Sequence, residues 1–158
     1  MGNRLVELVE ETHIGLGIEN HGSTTNDPAF LNALFVRVPS NKLGLTLDTA
    51  NFYWFGHPLD SLYGIYEKYA DRVHHTHCKS IDYPSDKENI KRPRGWEYGK
   101  YNCPIYKGDI HFQKVLDLLK KSGYSHDYCI ENESLGKFPK SERATVLKKE
   151  AQHLRELL

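Results

Sequence analysis

The sequence predicts an α/β fold of parallel βα units, about four strands with flanking helices. Three observations carry that reading. Helical and strand periodicities alternate along the chain. Two of the strand segments are continuously apolar, as suits a sheet covered by helices. The strand segments also end on, or near, side chains able to bind a metal ion.

The elements follow in order. Leu5, Leu8 and Val9 mark a short amphipathic helix, and Ile14 to Glu19 (IGLGIE) a strand ending on a carboxylate. Asp27-Pro28 reads as a helix start, Asp as N-cap and Pro in the first turn, continued by Phe30, Leu31, Leu34 and Phe35. Leu43 to Asp48 (LGLTLD) is a second strand ending on a carboxylate. Leu59, Leu62, Tyr63 and Tyr66 form one helical stripe, and Val73 to Lys79 (VHHTHCK) is a third strand. Phe112, Val115, Leu116 and Leu119 give a helix that Gly123 terminates. Tyr128 to Glu131 (YCIE) is the fourth strand, and Leu147, Ala151, Leu154 and Leu158 close the chain as a helix. The segment from Ser80 to Asp109 has no period and is rich in Pro, Gly, Lys, Tyr and Trp. A loop of that length is usually functional or mobile.

Composition narrows the function classes. The 158 residues suit one domain, taken as 1–158, with a real core, but fall well short of the roughly 250 of a full (β/α)₈ barrel. Lys+Arg and Asp+Glu both number 21, so no net charge draws the chain to nucleic acid or anionic lipid. No apolar run suits a membrane span or a signal peptide, and Cys78, Cys103 and Cys129 form no disulfide framework. A cytoplasmic setting is expected. Cys78 and Cys129 read as inert core residues.

Glu19 and Asp48 are 29 positions apart, as are Asp48 and His77, and His77 and Glu131 are 54 apart. The shorter interval is one βα unit, and the longer is one unit plus the long loop. In a parallel barrel the C-terminal strand ends open on one face, so these four side chains converge on one rim. Taken singly, each is better read as a cap or loop anchor; four at successive strand ends point to a site. Three carboxylates and an imidazole favour Mn²⁺, with Mg²⁺, Co²⁺ or Zn²⁺ as alternatives. A cation there would polarise a hydroxy-ketone, and carboxylates would move its α-proton.

The words GIENHG (17–22), LGLTLDTAN (43–51), VHHTHCKS (73–80) and GYSHDYCIENES (123–134) resemble successive strand motifs of the xylose isomerase-like superfamily of sugar phosphate isomerases, epimerases and keto-inositol dehydratases. CPIYKGDIHF (103–112) resembles its Gly-rich turn before the last helix pair. The resemblance implies the C-terminal half of a (β/α)₈ TIM barrel. It places metal ligation on Glu19, Asp48, His77 and Glu131, acid/base work on Glu19 and Glu131, and substrate contacts on His21, Asn51 and Lys79. The implied activity is a metal-dependent sugar or sugar-phosphate isomerase or epimerase, acting through an enediolate on a small-molecule sugar. A keto-polyol dehydratase and a non-catalytic half barrel are the alternatives. An apurinic-site endonuclease is disfavoured, because the chain has Asp-Thr-Ala-Asn and lacks that enzyme's extra histidines.

The family's histidine after the strand-six Asp is Asn51 here, and its arginine after the metal His is missing. Arg92 and Arg94 of the long loop are candidates to replace that arginine. Strands one to four have no counterpart, so the expected partner is a second copy of the chain, a separate N-terminal half, or the rest of a longer protein. By strand alternation His75 shares a face with His77, and His74 packs outward against a helix. Trp96-Glu97-Tyr98 is either an aromatic cover for substrate or a loop anchor. Glu133 is placed to support His77 or Lys79 from behind. His13, His57, His111, His126 and His153 read as ordinary surface or capping residues.

Overall fold

In a computed structural model, which describes residues 2–158, the strands and helices alternate as expected. Helix α1 (Gly2–Val9) precedes β1 (Leu16–Glu19), α2 (Pro28–Arg37), β2 (Leu43–Asp48), a short α3 (Asn51–Phe55), α4 (Leu59–Tyr69) and β3 (Val73–Cys78). The long segment that follows is not bare loop. It folds into a small antiparallel pair, β4 (Ser80–Ile81) with β5 (Asn102–Cys103), and two single-turn helices, α5 (Ser85–Glu88) and α6 (Tyr98–Tyr101). Helix α7 (Phe112–Lys121), β6 (Cys129–Ile130) and α8 (Lys140–Leu157) complete the chain.

The main sheet has the order β1-β2-β3-β6, all parallel, so spatial order follows chain order. That progression is the wall of a barrel in the making. Among the described residues, β1 and β6 each have one free edge. Local chemistry explains several boundaries. The Asp27 side chain accepts from the Ala29 N–H and caps α2, with Pro28 in its first turn. After α7 the chain turns through Gly123 at φ 89°, a left-handed conformation that glycine adopts without penalty.

Strand β2 shows how the layers divide. Leu43, Leu45 and Leu47 are buried on one side, in a single core with Leu31 and Phe35 of α2, Leu62, Tyr66 and Tyr69 of α4, and Val115 and Leu119 of α7. Each fully buried aliphatic side chain contributes about 1.5–3 kcal/mol. Gly44, Thr46 and Asp48 alternate onto the inner side. Space there is tight: a Cβ on Gly17 would lie 2.4 Å from Thr46 Oγ1, and one on Gly44 would lie 2.2 Å from the Arg72 carbonyl oxygen.

Strand β3 departs from simple alternation. Its pairing with β2 runs Leu45↔Val73, then Thr46↔His75, so β3 holds one extra residue, His74. This β-bulge corrects the expectation that His74 packs outward. Its ring lies 2.6 Å from where a Gly44 Cβ would stand and 2.9 Å from that of Gly15, on the inner side. There it lines a hollow of about 310 Å³ with His13, Asn41, Lys42 and His126. His75 and His77 do share a face, their rings 5.2 Å apart and edge to face.

These contacts generate a paired stability prediction. Gly44→Ala should cost about 1–3 kcal/mol, because backbone and a packed ring occupy the new methyl's place. Gly64→Ala, on the exposed side of α4 with nothing within 4 Å of the new Cβ, should gain about 0.5–1 kcal/mol. Urea unfolding of both variants checks the pair; equal midpoints would show that the inner face has room for the added methyl.

Candidate metal centre

Each candidate ligand stands where a strand ends. Glu19 closes β1, Asp48 closes β2, His77 is the penultimate residue of β3, and Glu131 follows β6. One ligand atom from each lies within 4.8 Å of the others. His77 Nδ1 is 3.6 Å from Glu19 Oε1 and 3.5 Å from Glu131 Oε2.

Side chains that sequence reading passed over lock these strand ends together. Asn20 is fully buried; its Nδ2 donates to the Asp48 carbonyl and its Oδ1 accepts from the Asp48 N–H, tying β1 to β2. Thr49 Oγ1 donates to the Lys79 carbonyl and accepts from the Lys79 N–H, tying β2 to β3. The Tyr66 hydroxyl of α4 donates to the Thr49 carbonyl. Beyond β6, Asn132 Nδ2 donates to the buried Glu150 of α8, and its Oδ1 accepts from Ser134. Glu150 in turn accepts from the Ile105 N–H. That clamp holds the segment on which Glu131 and Glu133 flank Asn132. Apart from the local Asn132–Ser134 contact, these are bonds between groups remote in sequence, and they leave no periodic signal.

Asp48 Oδ1 accepts from the Ala50 and Asn51 N–H groups at the start of α3. Its Oδ2 is buried and ion-paired with Lys79 Nζ at 2.7 Å. His77 Nδ1 is buried and without a hydrogen bond. A buried ring nitrogen without a hydrogen bond, beside the Glu19 and Glu131 carboxylate oxygens, needs an explanation, and a cation among these groups would supply one. The donor set therefore fits a divalent ion. Three carboxylates and one imidazole at neighbouring strand ends could hold it with coordination positions left over.

Lys79 counters the negative charge from within. Its side chain is 4 % exposed, and its ammonium donates to Glu131 Oε2 at 3.0 Å and Glu133 Oε1 at 3.3 Å. Burial works against its charge, but Asp48, Glu131 and Glu133 outweigh burial and hold it protonated. Burial likewise works to raise the Glu131 carboxyl, and Lys79, Asp48 and His77 bring it below its ordinary range.

The substrate-side candidates sit around Glu19. His21 Nδ1 is 3.2 Å from Glu19 Oε1 at the exposed lip, and Asn51 Nδ2 donates to the same oxygen at 3.2 Å. Tyr98 reaches in from α6 and its hydroxyl donates to Glu133 Oε2. Trp96 instead stacks on Tyr101 and packs against Tyr83 within its own loop, which makes it an anchor. Arg92 cannot serve as a substrate arginine. Its guanidinium is buried against the rings of Tyr53 and Tyr83, 4.4 Å from each centroid, and donates to the carbonyls of Lys87, Glu88, Ile90, Tyr53 and His57. Cys78 is buried, and burial pushes its thiol up to about 12.

Residues 3–157 match the sequence profile of the xylose isomerase-like TIM barrel family. Solved structures agree in fold. A xylose isomerase domain protein from Planctomyces limnophilus superposes with a TM-score of 0.61 at 20% identity, covering 90% of this chain and 44% of its own. A D-tagatose 3-epimerase-like protein gives 0.57 at 23%, covering 98% and 53%. The IolI protein, described with a bound zinc atom, gives 0.61 at 21%, covering 95% and 53%. The chain thus spans about half the length of these structures and corresponds to a partial barrel. No curated protein matches it in sequence. Among the described residues, no helix is long and apolar enough to cross a membrane.

Burial raises the Asp48 carboxyl from 3.8 to about 8 in the metal-free protein, against the pull of Lys79. A carboxyl raised in the fold stays neutral between those values, and its contribution to stability falls as pH climbs through them. A cation must displace that proton. Mn²⁺ affinity should therefore rise steadily between about pH 6 and 8. Titration calorimetry checks this; an affinity independent of pH would show that Asp48 is already ionised.

Proposed function

Because the chain belongs to the xylose isomerase-like TIM barrel family, we propose that it carries the metal-bearing half of a sugar isomerase or epimerase site, held by Glu19, Asp48, His77 and Glu131. The observation that carries this reading is the convergence of those four side chains, one ligand atom of each within 4.8 Å of the others, with His77 Nδ1 buried and without a hydrogen bond. A divalent cation held by these residues, Mn²⁺ by the oxygen-rich donor set, would supply Lewis-acid polarisation of a substrate carbonyl and its neighbouring hydroxyl.

The chain's own residues would do the rest. Glu19 and Glu131 flank His77 from either side, so one carboxylate can take the α-proton and the other return it. Asn51 and His21 orient Glu19. Lys79 keeps Glu131 ionised and ready to accept a proton. A dehydratase begins with the same proton removal and would differ by releasing water. The family resemblance and the carbohydrate-processing descriptions of the structural relatives support this chemistry.

Wild-type protein should hold one divalent ion per chain, and Glu131→Gln should lose it, as read by elemental analysis. With Mn²⁺ bound, a ketose substrate should exchange its α-proton with D₂O, and the exchange should stop in Glu19→Gln. Metal retained without any exchange across a ketose panel would sink the proton-transfer reading.

The remaining barrel wall would pair with the free edges of β1 and β6. We propose a second copy of this chain as the partner. Sedimentation should give twice the chain mass; a stable monomer would assign that wall to a different polypeptide segment.

A further inference from the structure

We propose that Glu133 is a positioning residue that keeps the Lys79 ammonium paired when a cation occupies the cluster, and that Tyr98, by gripping Glu133, makes the Ser80–Asp109 segment a strap that tightens as the cation binds. The proposal rests on the metal-centre reading above and adds a means of regulation to it. Every contact it uses lies between residues of this one chain.

An ammonium carries three N–H groups. Lys79 Nζ has three carboxylate neighbours: Asp48 Oδ2 at 2.7 Å, Glu131 Oε2 at 3.0 Å and Glu133 Oε1 at 3.3 Å. Two of the three, Asp48 and Glu131, belong to the ligand set. A cation drawing on their oxygens would compete with Lys79 for them and repel the ammonium from close by. Water offers little relief, because the Lys79 side chain is only 4 % exposed. A buried charge that loses its partners is strongly destabilising. Glu133 is the neighbour outside the ligand set, so the ammonium turns to it as the cation enters.

The long segment holds Glu133 from its other side. Glu133 Oε2 accepts from the Tyr98 hydroxyl, and the Glu133 carbonyl accepts from Asn102 Nδ2 at 3.3 Å. Lys137, on the same stretch of chain as Glu133, donates to the carbonyls of Lys100 and Asn102. The segment's remaining ties run to α3 and its C-terminal turn. Arg92 N–H donates to the Gly56 carbonyl, Gly95 N–H to the Trp54 carbonyl, and the Tyr53 hydroxyl to Asp109. Those anchors lie among groups that do not touch the ligand carboxylates. Tyr98 is the side chain by which the segment senses the cluster.

The backbone at this point is held under tension. Glu97, immediately before Tyr98, sits at φ 45°, and among the described residues it is the one non-glycine residue with positive φ. That conformation is unfavourable for a residue with a Cβ and persists where surrounding contacts enforce it. The Tyr98–Glu133 bond is one such contact, and it lies at the exposed rim, where it can break and re-form without disturbing the core. In the metal-free chain Lys79 divides its attraction among three carboxylates. With a cation loaded, Lys79 would turn to Glu133 Oε1 and fix that carboxylate with Oε2 toward Tyr98, holding the strap down. Such coupling is reciprocal, so a strap that holds Glu133 also raises the affinity for the cation.

Hydrogen-exchange mass spectrometry with and without Mn²⁺, joined to Mn²⁺ titration calorimetry, tests this on the full chain. In wild type, Mn²⁺ should slow amide exchange across residues 95–102 several-fold. Tyr98→Phe preserves the ring and the charge of the cluster. It should abolish that protection and weaken Mn²⁺ binding several-fold, with the urea midpoint of the metal-free protein unchanged. Glu133→Gln should weaken Mn²⁺ binding about ten- to a hundredfold. Lys100→Ala, in the same exposed helix α6, should alter neither readout. Exchange over 95–102 that ignores Mn²⁺ in wild type would overturn the strap. Mn²⁺ affinity undiminished in both Tyr98→Phe and Glu133→Gln would overturn the positioning role. Either result leaves the four-ligand centre standing, whereas a wild-type chain that takes up no Mn²⁺ would bring down that centre and the proposal with it.

Discussion

A lysine ammonium buried among carboxylates is the interaction on which the rest of this site depends. Asp48, Glu131 and Glu133 all approach Lys79 Nζ within 3.3 Å, and Lys79 itself is nearly inaccessible to water. Without an internal cation, carboxylates this close would repel one another more strongly and more of them would take up protons. A buried ion pair is weak as a source of stability, since desolvation consumes most of its attraction. Its value here is positional. Lys79 lies two residues beyond His77, just past the end of β3, so the group that neutralises these carboxylates travels with the imidazole beside them.

Holding the cluster is then a matter of backbone register. Parallel strands need no common turn to set their relative positions, so the alignment of their ends must come from elsewhere. Asn20 and Thr49 supply it through paired side chain–backbone bonds across neighbouring strands. Glu150 and Asn132 do the same for β6, which is only two residues long and has little ladder of its own. The fully buried Asn20, Thr49 and Glu150 are thus employed in alignment, while Glu19 and Glu131 keep part of their side chains open to solvent.

Much of this was legible in the sequence where signals are local. LGLTLD marks β2 to the residue, Asp27-Pro28 the start of α2, and Gly123 the turn after α7. The near-regular spacing of Glu19, Asp48 and His77 reflects a repeated structural unit, so their convergence could be anticipated without coordinates. Asn20, Thr49, Asn132 and Glu150 could not, because their partners lie 18 to 45 positions away and nothing local sets them apart from other polar residues. Arg92 misled for a related reason. A cation in a long loop suggests a ligand contact, whereas this one gathers backbone carbonyls and two tyrosine rings into a fold for the loop itself.

The extra residue in β3 has a consequence that reaches past His74. Val73 and His77 are four positions apart, so an unbroken strand would aim both side chains the same way. Val73 belongs to the core with the helices, and His77 belongs to the ligand cluster on the opposite side. The strand can serve both only by changing phase between them, and His74 is where it does so. Position 74 therefore matters as a spacer, whatever side chain it bears. Shortening the strand there by one residue would set either valine or ligand on the wrong side of the sheet, a penalty that no substitution elsewhere in β3 could repair. Natural variation at this point should change the letter and keep the count.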